Sequence, residues 1–310
     1  MATTAAASMT DDSFLATYQR DGYAVRRGIL PAADLDPVRA FLSAEVDAYA
    51  RRMLAEGKIR SLHTEQPFER RFAAICREMD ASPRSWIGST FDRVFYELYR
   101  NPAILRVLGE MLGPEVVQLG ALNIRTKLPE AEITSFPWHQ DSHYYNEPSR
   151  GKRVGSTEEA HIVTVWVPLV DANVENGCVW VLPGSHRWGL IDAARGEDLN
   201  VRATEDVERR GTPTPVEMRV GDVLFLTNLT FHASKMNRTD ASRWSVDFRY
   251  HAAPAALSGR PRAALEALHD RFRASGRESL TVLSEGPTPT WEEWQDATNR
   301  AREQAASAGR

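Results

Sequence analysis

The chain has 310 residues, of which 42% are hydrophobic and 26% are charged, values close to those of an average globular protein, so disorder throughout and a collagen-like structure are excluded. Its 38 basic and 42 acidic residues give a formal net charge of -4 without a long run of one sign, so nucleic acid is not an expected partner. The longest apolar stretches, residues 163–170 and 223–226, are far shorter than the roughly 20 residues that cross a bilayer, so no membrane association is expected.

The amino-terminal residues 1–9 are small and polar, without the basic and apolar regions of a secretory signal. Residues 1–10 are therefore predicted to be a disordered tail. Two cysteines, Cys76 and Cys178, lie far apart in the sequence and make neither a disulfide framework nor a zinc cluster. Both are predicted to be buried free thiols, and the protein is predicted to be cytoplasmic.

Residues 11–113 are predicted to form a mainly helical region that supports the rest of the domain. Apolar residues recur there at helical spacing, and Asn101-Pro102 has the residue types of a helix start. Only residues 23–25 have the character of a short strand. The helical stripes consist of Phe14, Leu15 and Tyr18; Leu35, Val38, Phe41, Leu42, Val46 and Tyr49; Phe68, Phe72, Ile75 and Met79; Phe91, Val94, Phe95 and Leu98; and Ile104, Val107, Leu108 and Met111.

From residue 115 the apolar period changes to two, which predicts β-strands. Asn-Gly, Pro-Gly and Gly-Asp pairs separate the short runs, as expected of a sandwich or jelly roll. The predicted strands are at residues 122–127, 163–169, 178–182, 216–220 and 223–227.

A single domain is predicted over residues 11–310. Its jelly-roll core is expected at 115–252 and a helical segment at 253–310. The polar stretches 146–160 and 189–215 are predicted to be loops or a lid, where specificity would reside.

Residues 243–251 separate polar from apolar side chains completely. The odd-numbered positions from Arg243 to His251 are polar, and the even-numbered positions from Trp244 to Tyr250 are apolar. Because the side chains of a strand alternate between its faces, two interpretations stay open. One is an ordinary solvated face over a core face. The other is a polar face that looks into a barrel holding a charged ligand.

Candidate metal ligands lie between Phe136 and Tyr145. In an extended strand, His139 and Asp141 point to the same side, so an imidazole nitrogen and a carboxylate oxygen can meet one metal ion. His232, which follows the apolar run 223–226, is the best distal candidate for a third ligand. Two histidines and one carboxylate leave three adjacent positions open, which suits non-haem Fe(II) enzymes that bind a chelating cosubstrate and dioxygen.

A His-x-Asp pair alone is a weak signal, and two alternatives stay open. His143 lies on the same predicted strand face as His139 and Asp141, and these three could form the zinc site of a metal-dependent hydrolase. A non-catalytic jelly-roll binding protein is the alternative from another class. A complete set of metal ligands argues against a pure binder, which has no need of it.

The combination of motifs is more specific than any one of them, and it resembles the phytanoyl-CoA dioxygenase family of Fe(II)/2-oxoglutarate-dependent oxygenases. The resemblance extends over roughly residues 12–252. The motifs that carry it are Trp138-His139-Gln140-Asp141 with His143-Tyr144, Trp166, Asn176-Gly177-Cys178, Leu182-Pro183-Gly184-Ser185-His186, His232 followed after 11 residues by Arg243-Trp244-Ser245, and Asp21-Gly22-Tyr23 before Gly28-Ile29-Leu30.

The resemblance implies a mainly β fold with flanking α-helices. Its core would be a double-stranded β-helix, a cupin-like jelly roll, preceded by the N-terminal helical region. It also implies that His139, Asp141 and His232 hold Fe(II).

For the cosubstrate, the resemblance implies that Arg243, helped by Ser245, pairs with the distal carboxylate of 2-oxoglutarate. A guanidinium suits this task because its planar fork matches a carboxylate and stays charged. Trp166 would lie beside the cosubstrate. A further contact is expected upstream, from Asn123 or from the alternatives Gln118 and Lys127.

The activity implied is a dioxygenase that hydroxylates an unactivated C–H bond of a small organic molecule with release of succinate and CO2. Desaturation, epoxidation and cyclisation are other outcomes of the same chemistry, and the sequence does not separate them, nor does it identify the substrate or the oligomeric state. Candidate walls of the site are Phe136, Tyr144, Tyr145, Trp180 and Met236.

Overall fold

The structure is a computed structural model that describes residues 11–83, 86–87, 91–145, 160–198 and 200–308. The predicted tail and nearly all of the predicted loop at 146–160 lie outside these residues. In chain order the elements are α1 (Asp11–Asp21), β1 (Tyr23–Arg26), α2 (Ala32–Ala55), α3 (Phe68–Glu78), α4 (Arg93–Tyr99), α5 (Pro102–Leu112), β2 (Val116–Lys127), β3 (Phe136–His139), α6 (Ser142–Tyr145), β4 (Ile162–Pro168), β5 (Val179–Val181), β6 (Ala193–Arg195), β7 (Val201–Ala203), β8 (Thr214–Val216), β9 (Val223–Thr227), β10 (His232–Ser234), β11 (Arg243–Ala252), α7 (Gly259–Ala274), β12 (Leu280–Leu283) and α8 (Trp291–Ala308).

Ten of the twelve described strands form two antiparallel sheets that face each other, which confirms the predicted jelly roll. One sheet has six strands in the order β1-β9-β4-β11-β2-β12, and the other has four in the order β3-β10-β5-β8. Trp166 of β4, Leu224 of β9 and Val181 of β5 belong to one buried apolar cluster between the sheets. This cluster fixes the two sheets against each other beside the space that holds the polar residues of the candidate site.

The amino-terminal helices cover the outer face of the six-stranded sheet. Phe14 of α1 and Leu42 of α2 share one buried cluster with Val165 of β4 and Phe248 of β11. Nine of the ten residues of β11 are buried, because its even-numbered apolar side chains lie under the helices and its odd-numbered ones face inward. The interpretation of residues 243–251 as an ordinary solvated strand is therefore wrong.

Two strands differ from the sequence prediction. The run at 216–220 is not a continuous strand, since β8 ends at Val216 and Met218 beyond it pairs with Ala172 only in an isolated bridge. β12 was not predicted, because four residues between polar loops give little periodicity. Leu280 and Val282 are buried where β12 pairs with β2, a strand that lies far from β12 in the sequence.

The predicted loop or lid at 189–215 contains regular structure. β6 and β7 pair as an antiparallel hairpin, and β8 pairs with β5. Cys76 and Cys178 are buried and free, as predicted. No helix among the described residues combines the length and the apolar character that a membrane span requires.

The start of α5 is fixed by two hydrogen bonds of Asn101. Its Oδ1 accepts from the backbone N–H of Ala103 at 2.9 Å, and its Nδ2 donates to Asp34 of α2 at 2.7 Å. Asn101 thus supplies the cap of one helix and a link to another, with Pro102 in the first turn where its missing N–H costs nothing.

Asn101→Ala is expected to lower the free energy of unfolding by about 1–2 kcal/mol, the usual cost of losing a helix cap. Ser258→Ala is the matched control, because Ser258 precedes α7 without a side-chain capping hydrogen bond. Urea unfolding of both variants measures the difference. Equal stabilities of the two variants would contradict the capping role.

Candidate active site

The pairing of β3 with β10 brings the two predicted histidine ligands together. His139 and His232 are direct partners in this antiparallel pair, and their ring centroids lie 4.2 Å apart. Asp141 follows β3 by two residues and turns back toward the same space. Its Oδ1 lies 4.0 Å from His139 Nε2 and 3.8 Å from His232 Nε2. Among the described residues, these three form the group whose side chains could share one metal ion.

Backbone carbonyls orient both imidazoles for metal binding. His139 Nδ1 donates to the carbonyl of Pro137 at 2.8 Å, and His232 Nδ1 donates to that of Thr230 at 2.9 Å. Since a carbonyl can only accept, each Nδ1 carries the hydrogen and each Nε2 presents a lone pair to the shared space. A hydrogen bond on the far nitrogen is the usual companion of a metal-bound histidine, so the residues present fit a metal ion.

The two oxygens of Asp141 have different surroundings. Oδ1 is the atom near both histidines and also accepts from Arg249 Nη2 at 3.3 Å, whereas Oδ2 accepts from Thr164 Oγ1 at 2.5 Å and from Arg249 Nη2 at 3.2 Å. Arg249 also donates through Nε to Tyr145 and through Nη1 to Asp247. Thr164 and Arg249 thereby hold the carboxylate in place with Oδ1 close to the histidine nitrogens.

The protonation states suit ligands. Burial, followed by the proximity of His232, lowers the pKa of His139 to about 3, so its ring is neutral at physiological pH. Burial alone would raise the pKa of Asp141, but the Arg249 charge, the two neighbouring histidines and the Thr164 hydrogen bond together outweigh burial and hold that pKa well below its usual range. A neutral imidazole and an ionised carboxylate are the forms that bind a metal.

His143 does not join this group, so the expectation that it shares a strand face with His139 and Asp141 is wrong. β3 ends at His139, and His143 lies in the short helix α6. Its Nε2 donates to the carbonyl of Ile191 at 2.6 Å and its Nδ1 accepts from the N–H of Gln140. Both ring nitrogens are engaged, which removes the ligand set of the hydrolase alternative.

Arg243 lies in the same cavity and is 3% exposed. Its Nη1 donates to Ser245 Oγ at 2.6 Å and its Nη2 to the carbonyl of Gly177 at 3.2 Å, while its buried Nε has no partner. Burial lowers the pKa of Arg243 to about 10, which still leaves it charged. Within the described residues no carboxylate forms an ion pair with this guanidinium, an arrangement that calls for an anionic ligand.

The other predicted cosubstrate residues divide into two groups. Trp166 and Asn123 line the cavity; the Arg243 guanidinium lies 5.3 Å from the centre of a Trp166 ring, and Asn123 donates to Asp247 at 2.8 Å. Ser245 is buried behind Arg243 and holds it in place. Gln118, the upstream alternative, instead accepts from the N–H of Gly120 and does not line the cavity.

Lys127 is the upstream residue closest to Arg243 in the sheet. The two are direct cross-strand partners between β2 and β11, and both line the cavity. Lys127 is 1% exposed, and its Nζ donates to the carbonyls of Thr134 and Lys235 at 3.0 and 2.7 Å. Burial, followed by repulsion from Arg243, lowers its pKa to about 6.

The cavity that contains these groups has a volume of about 610 Å³, within the usual range for ligand sites. Phe136, Tyr144 and Tyr145 line it as predicted, whereas Trp180 and Met236 do not. The sequence did not point to Thr164, Ser234 or Arg249 as residues of the site. The signal for Thr164 was its place on the same strand face as Trp166. The cavity-lining residues that follow β11, among them Arg271 and Arg277, had no signal in the sequence.

Residues 18–245 match the sequence profile of the phytanoyl-CoA dioxygenase (PhyH) family. This match covers well over half of the chain, and the protein therefore belongs to that family. A probable phytanoyl-CoA dioxygenase of Caenorhabditis elegans is 28% identical over 168 residues, which are 51% of this chain and 51% of that protein. The chain thus spans about half the length of the curated relatives it matches.

Solved structures share the fold. The non-heme monooxygenase ThoJ, in its apo form, aligns with a TM-score of 0.56 and 19% identity over 95% of this chain and 98% of its own. The epimerase SnoN from nogalamycin biosynthesis, in complex with Fe3+, alpha ketoglutarate and nogalamycin RO, aligns with a TM-score of 0.51 and 24% identity over 79% of this chain and 84% of its own. These similarities agree with the jelly roll described above.

His232→Ala removes a proposed iron ligand. Removal of only the hydrogen-bond partner of a metal ligand weakens metal binding by roughly 10- to 100-fold, and the loss of iron affinity in His232→Ala is expected to be larger. His143→Ala is the matched control and should keep near-normal iron affinity, since neither of its ring nitrogens reaches the shared space. Anaerobic Fe(II) titration monitored by calorimetry compares the two variants. Loss of iron from His143→Ala with retention in His232→Ala would restore the hydrolase-like ligand set.

Proposed function

We propose that this protein is a non-haem Fe(II)- and 2-oxoglutarate-dependent dioxygenase that hydroxylates an unactivated C–H bond of a small organic molecule, with release of succinate and CO2. One observation carries the proposal: a set of two histidines and one carboxylate, with His139 and Asp141 buried and His232 partly buried, shares a cavity with a buried arginine that has no carboxylate partner among the described residues. The first feature suits iron, and the second suits the distal carboxylate of 2-oxoglutarate.

In this proposal His139 Nε2, His232 Nε2 and Asp141 Oδ1 would hold the iron, which supplies the activation of dioxygen when it is bound. The protein residues keep these donors in place before the metal arrives. The Pro137 and Thr230 carbonyls fix the two rings, and Thr164 and Arg249 hold the second oxygen of Asp141. Prealigned donors of this kind raise metal affinity because little ordering remains to be done on binding.

Arg243 would bind the distal carboxylate of 2-oxoglutarate, with Trp166 beside the carbon chain. Ser245 and the Gly177 carbonyl fix the guanidinium, and its unpartnered Nε is available to donate to the bound anion. The opposite end of the cosubstrate would then lie toward the histidine pair, because Arg243 and His232 line the same cavity. The remaining aromatic walls, Phe136 and Tyr144, exclude water from the substrate carbon.

Hydroxylation is a more specific statement than membership of the oxygenase class. The family supports the oxygenase class, while the structural neighbours include a monooxygenase and an epimerase. Product analysis under 18O2 tests this statement directly. Incorporation of one labelled oxygen as a new hydroxyl group supports hydroxylation. An epoxide that carries the label would replace it by epoxidation, an oxidised product without the label by desaturation or cyclisation, and an unlabelled stereoisomer of the substrate by epimerisation.

Arg243→Met is expected to weaken 2-oxoglutarate binding by about ten- to a hundred-fold, because a hydrogen bond to a charged group contributes about 1.5–3 kcal/mol and each 1.4 kcal/mol is tenfold. Ser245→Ala should weaken it by about tenfold or less, since it removes one neutral hydroxyl. The measurement is a titration of the anaerobic Fe(II) protein that follows the visible metal-to-ligand absorption band. Arg238→Met serves as a control, as Arg238 does not line the cavity.

Two results would contradict the proposed function or the proposed cosubstrate site. Absence of the band in the wild-type protein would contradict the function. An unchanged titration for Arg243→Met, with a large shift for Arg249→Met, would move the cosubstrate along β11.

The buried amine of Lys127 predicts a pH dependence of cosubstrate binding. Without ligand its pKa is about 6, so the amine is neutral above that pH. An anion bound at Arg243 favours the charged amine, and binding therefore takes up a proton. The apparent affinity for 2-oxoglutarate should fall as pH rises from about 6.5 to 8.5, by up to about tenfold per pH unit.

Lys127→Met should remove this pH dependence, because no amine is left to take up the proton. Lys235→Met is the matched control, since the Lys235 side chain lies over the Trp180 ring outside the cavity. Titrations of 2-oxoglutarate at several pH values decide the matter. A pH profile that is identical in wild type and Lys127→Met would rule out proton uptake at this residue.

A further inference from the structure

Two arginines at one end of the cavity have no acidic partner among the described residues. Arg271 lies in the last turn of α7, Arg277 follows this helix, and both line the cavity. Arg271 donates to the backbone carbonyls of Tyr145 and Tyr144, and Arg277 Nε donates to Ser275 Oγ at 3.2 Å. These bonds use only part of the five N–H groups that each guanidinium carries.

The acids that line the cavity are already paired with other arginines. Asp141 binds Arg249, at 3.2 Å. Asp247 binds Arg249 and also Arg125, the latter at 3.0 Å. The third, Asp198, binds Arg202 at 2.7 Å. The described cavity walls therefore offer no acid to Arg271 or Arg277, and this end carries an excess of positive charge.

The two guanidiniums lie close enough to repel each other. Their central carbons are 5.9 Å (Arg271) and 4.6 Å (Arg277) from the ring centre of Phe272. The surrounding protein, followed by the charge of Arg271, lowers the pKa of Arg277. Like charges held together beside an apolar ring are stabilised when an anion binds between them.

This pair lies at the opposite end of the site from the proposed cosubstrate residue. Tyr145, whose carbonyl accepts from Arg271, also accepts through its hydroxyl from Arg249 Nε. Arg249 is six residues along β11 from Arg243, a separation of about 20 Å in an extended strand. His139, Asp141 and His232 line the same cavity. An anion at Arg271 and Arg277 is therefore a second ligand, distinct from 2-oxoglutarate.

We propose that the primary substrate carries an oxyanion, a carboxylate or a phosphate, which Arg271 and Arg277 bind at the α7 end of the cavity. This inference rests on the proposed function, because it makes the oxyanion the anchor of the molecule that is oxidised. The apolar part of the substrate extends from this anchor past Phe272 and Tyr144 toward the histidine pair. Neutral molecules of the same shape bind weakly.

The test uses octanoate, octyl phosphate and the neutral octanamide as probes. Each is titrated by calorimetry, at low salt and without oxygen, into protein that holds Fe(II) and saturating 2-oxoglutarate, so that Arg243 is already occupied. At least one of the two anions is expected to bind about tenfold or more tightly than octanamide. Whichever anion binds more tightly identifies the oxyanion as carboxylate or phosphate.

Three variants locate the anion. Arg271→Gln is expected to weaken the preferred anion by about tenfold, and Arg277→Gln by about three- to tenfold because Arg277 is exposed. Arg273→Gln is the matched control on the same helix; Arg273 pairs with Glu278 at 2.9 Å and does not line the cavity, so its substitution should leave binding unchanged. If Arg271→Gln disturbs folding, Arg277→Gln decides the question, because the Arg277 side chain donates to Ser275 Oγ and not to a backbone carbonyl.

Equal affinity for octanamide and both anions overturns this inference, as does an equal loss in Arg273→Gln and Arg277→Gln. The failure of the proposed function looks different. In that case the wild-type protein shows no absorption band with Fe(II) and 2-oxoglutarate, before any probe is added. If the protein forms the band and binds the three probes with equal affinity, the proposed function stands and the oxyanion substrate class is wrong.

Discussion

The burial of β11 on both of its faces is the constraint on which the rest of the molecule depends. Its apolar side chains lie under the amino-terminal helices, so its polar side chains have to lie inside the jelly roll. Polar and charged groups in such a place need partners. Strand β2 and the segment from Asp141 to Tyr145 supply several of them. Arg243, Asp247 and Arg249 line the cavity that also contains the histidine pair.

Arg249 and Arg243 lie on the inward face of β11, and their charges are neutralised by neighbouring groups to different degrees. This difference indicates different roles for the two arginines. Arg249 is surrounded by Asp141, Asp247 and the Tyr145 hydroxyl, and its pKa lies well above the usual value because these acids outweigh the effect of burial. Arg243 has only a hydroxyl and a carbonyl, and burial lowers its pKa. Arg249 is thus suited to hold protein groups in place, and Arg243 to receive a ligand. A stable protein tolerates such an unsatisfied group chiefly where function requires it.

Much of the fold followed from periodicity in the sequence. The helices at the amino terminus and the change to strands near residue 115 were predicted, because amphipathic stripes reflect burial on one side. The strand β12 and the hairpin within 189–215 were not, since each is only three or four residues long and is stabilised by pairing with distant or nearby backbone. Such short strands leave almost no pattern in their own residues.

The residues of the site were predictable to a similar extent. His139, Asp141, His232 and Arg243 were selected from motif spacing, and the structure brings all four to one cavity. His143 was misplaced because the strand was expected to continue beyond His139, whereas the chain turns there into α6. Arg271 and Arg277 line the cavity because of how the segment around α7 packs. A single sequence does not indicate this packing.

Diffraction from anaerobic crystals containing Fe(II) and 2-oxoglutarate, with anomalous data collected at the iron edge, tests the central claim most directly. The account predicts one anomalous peak bounded by His139 Nε2, His232 Nε2 and Asp141 Oδ1. It also predicts density for 2-oxoglutarate with a carboxylate at Arg243. A peak beside His143, or a cosubstrate that leaves Arg243 without a partner, would contradict it.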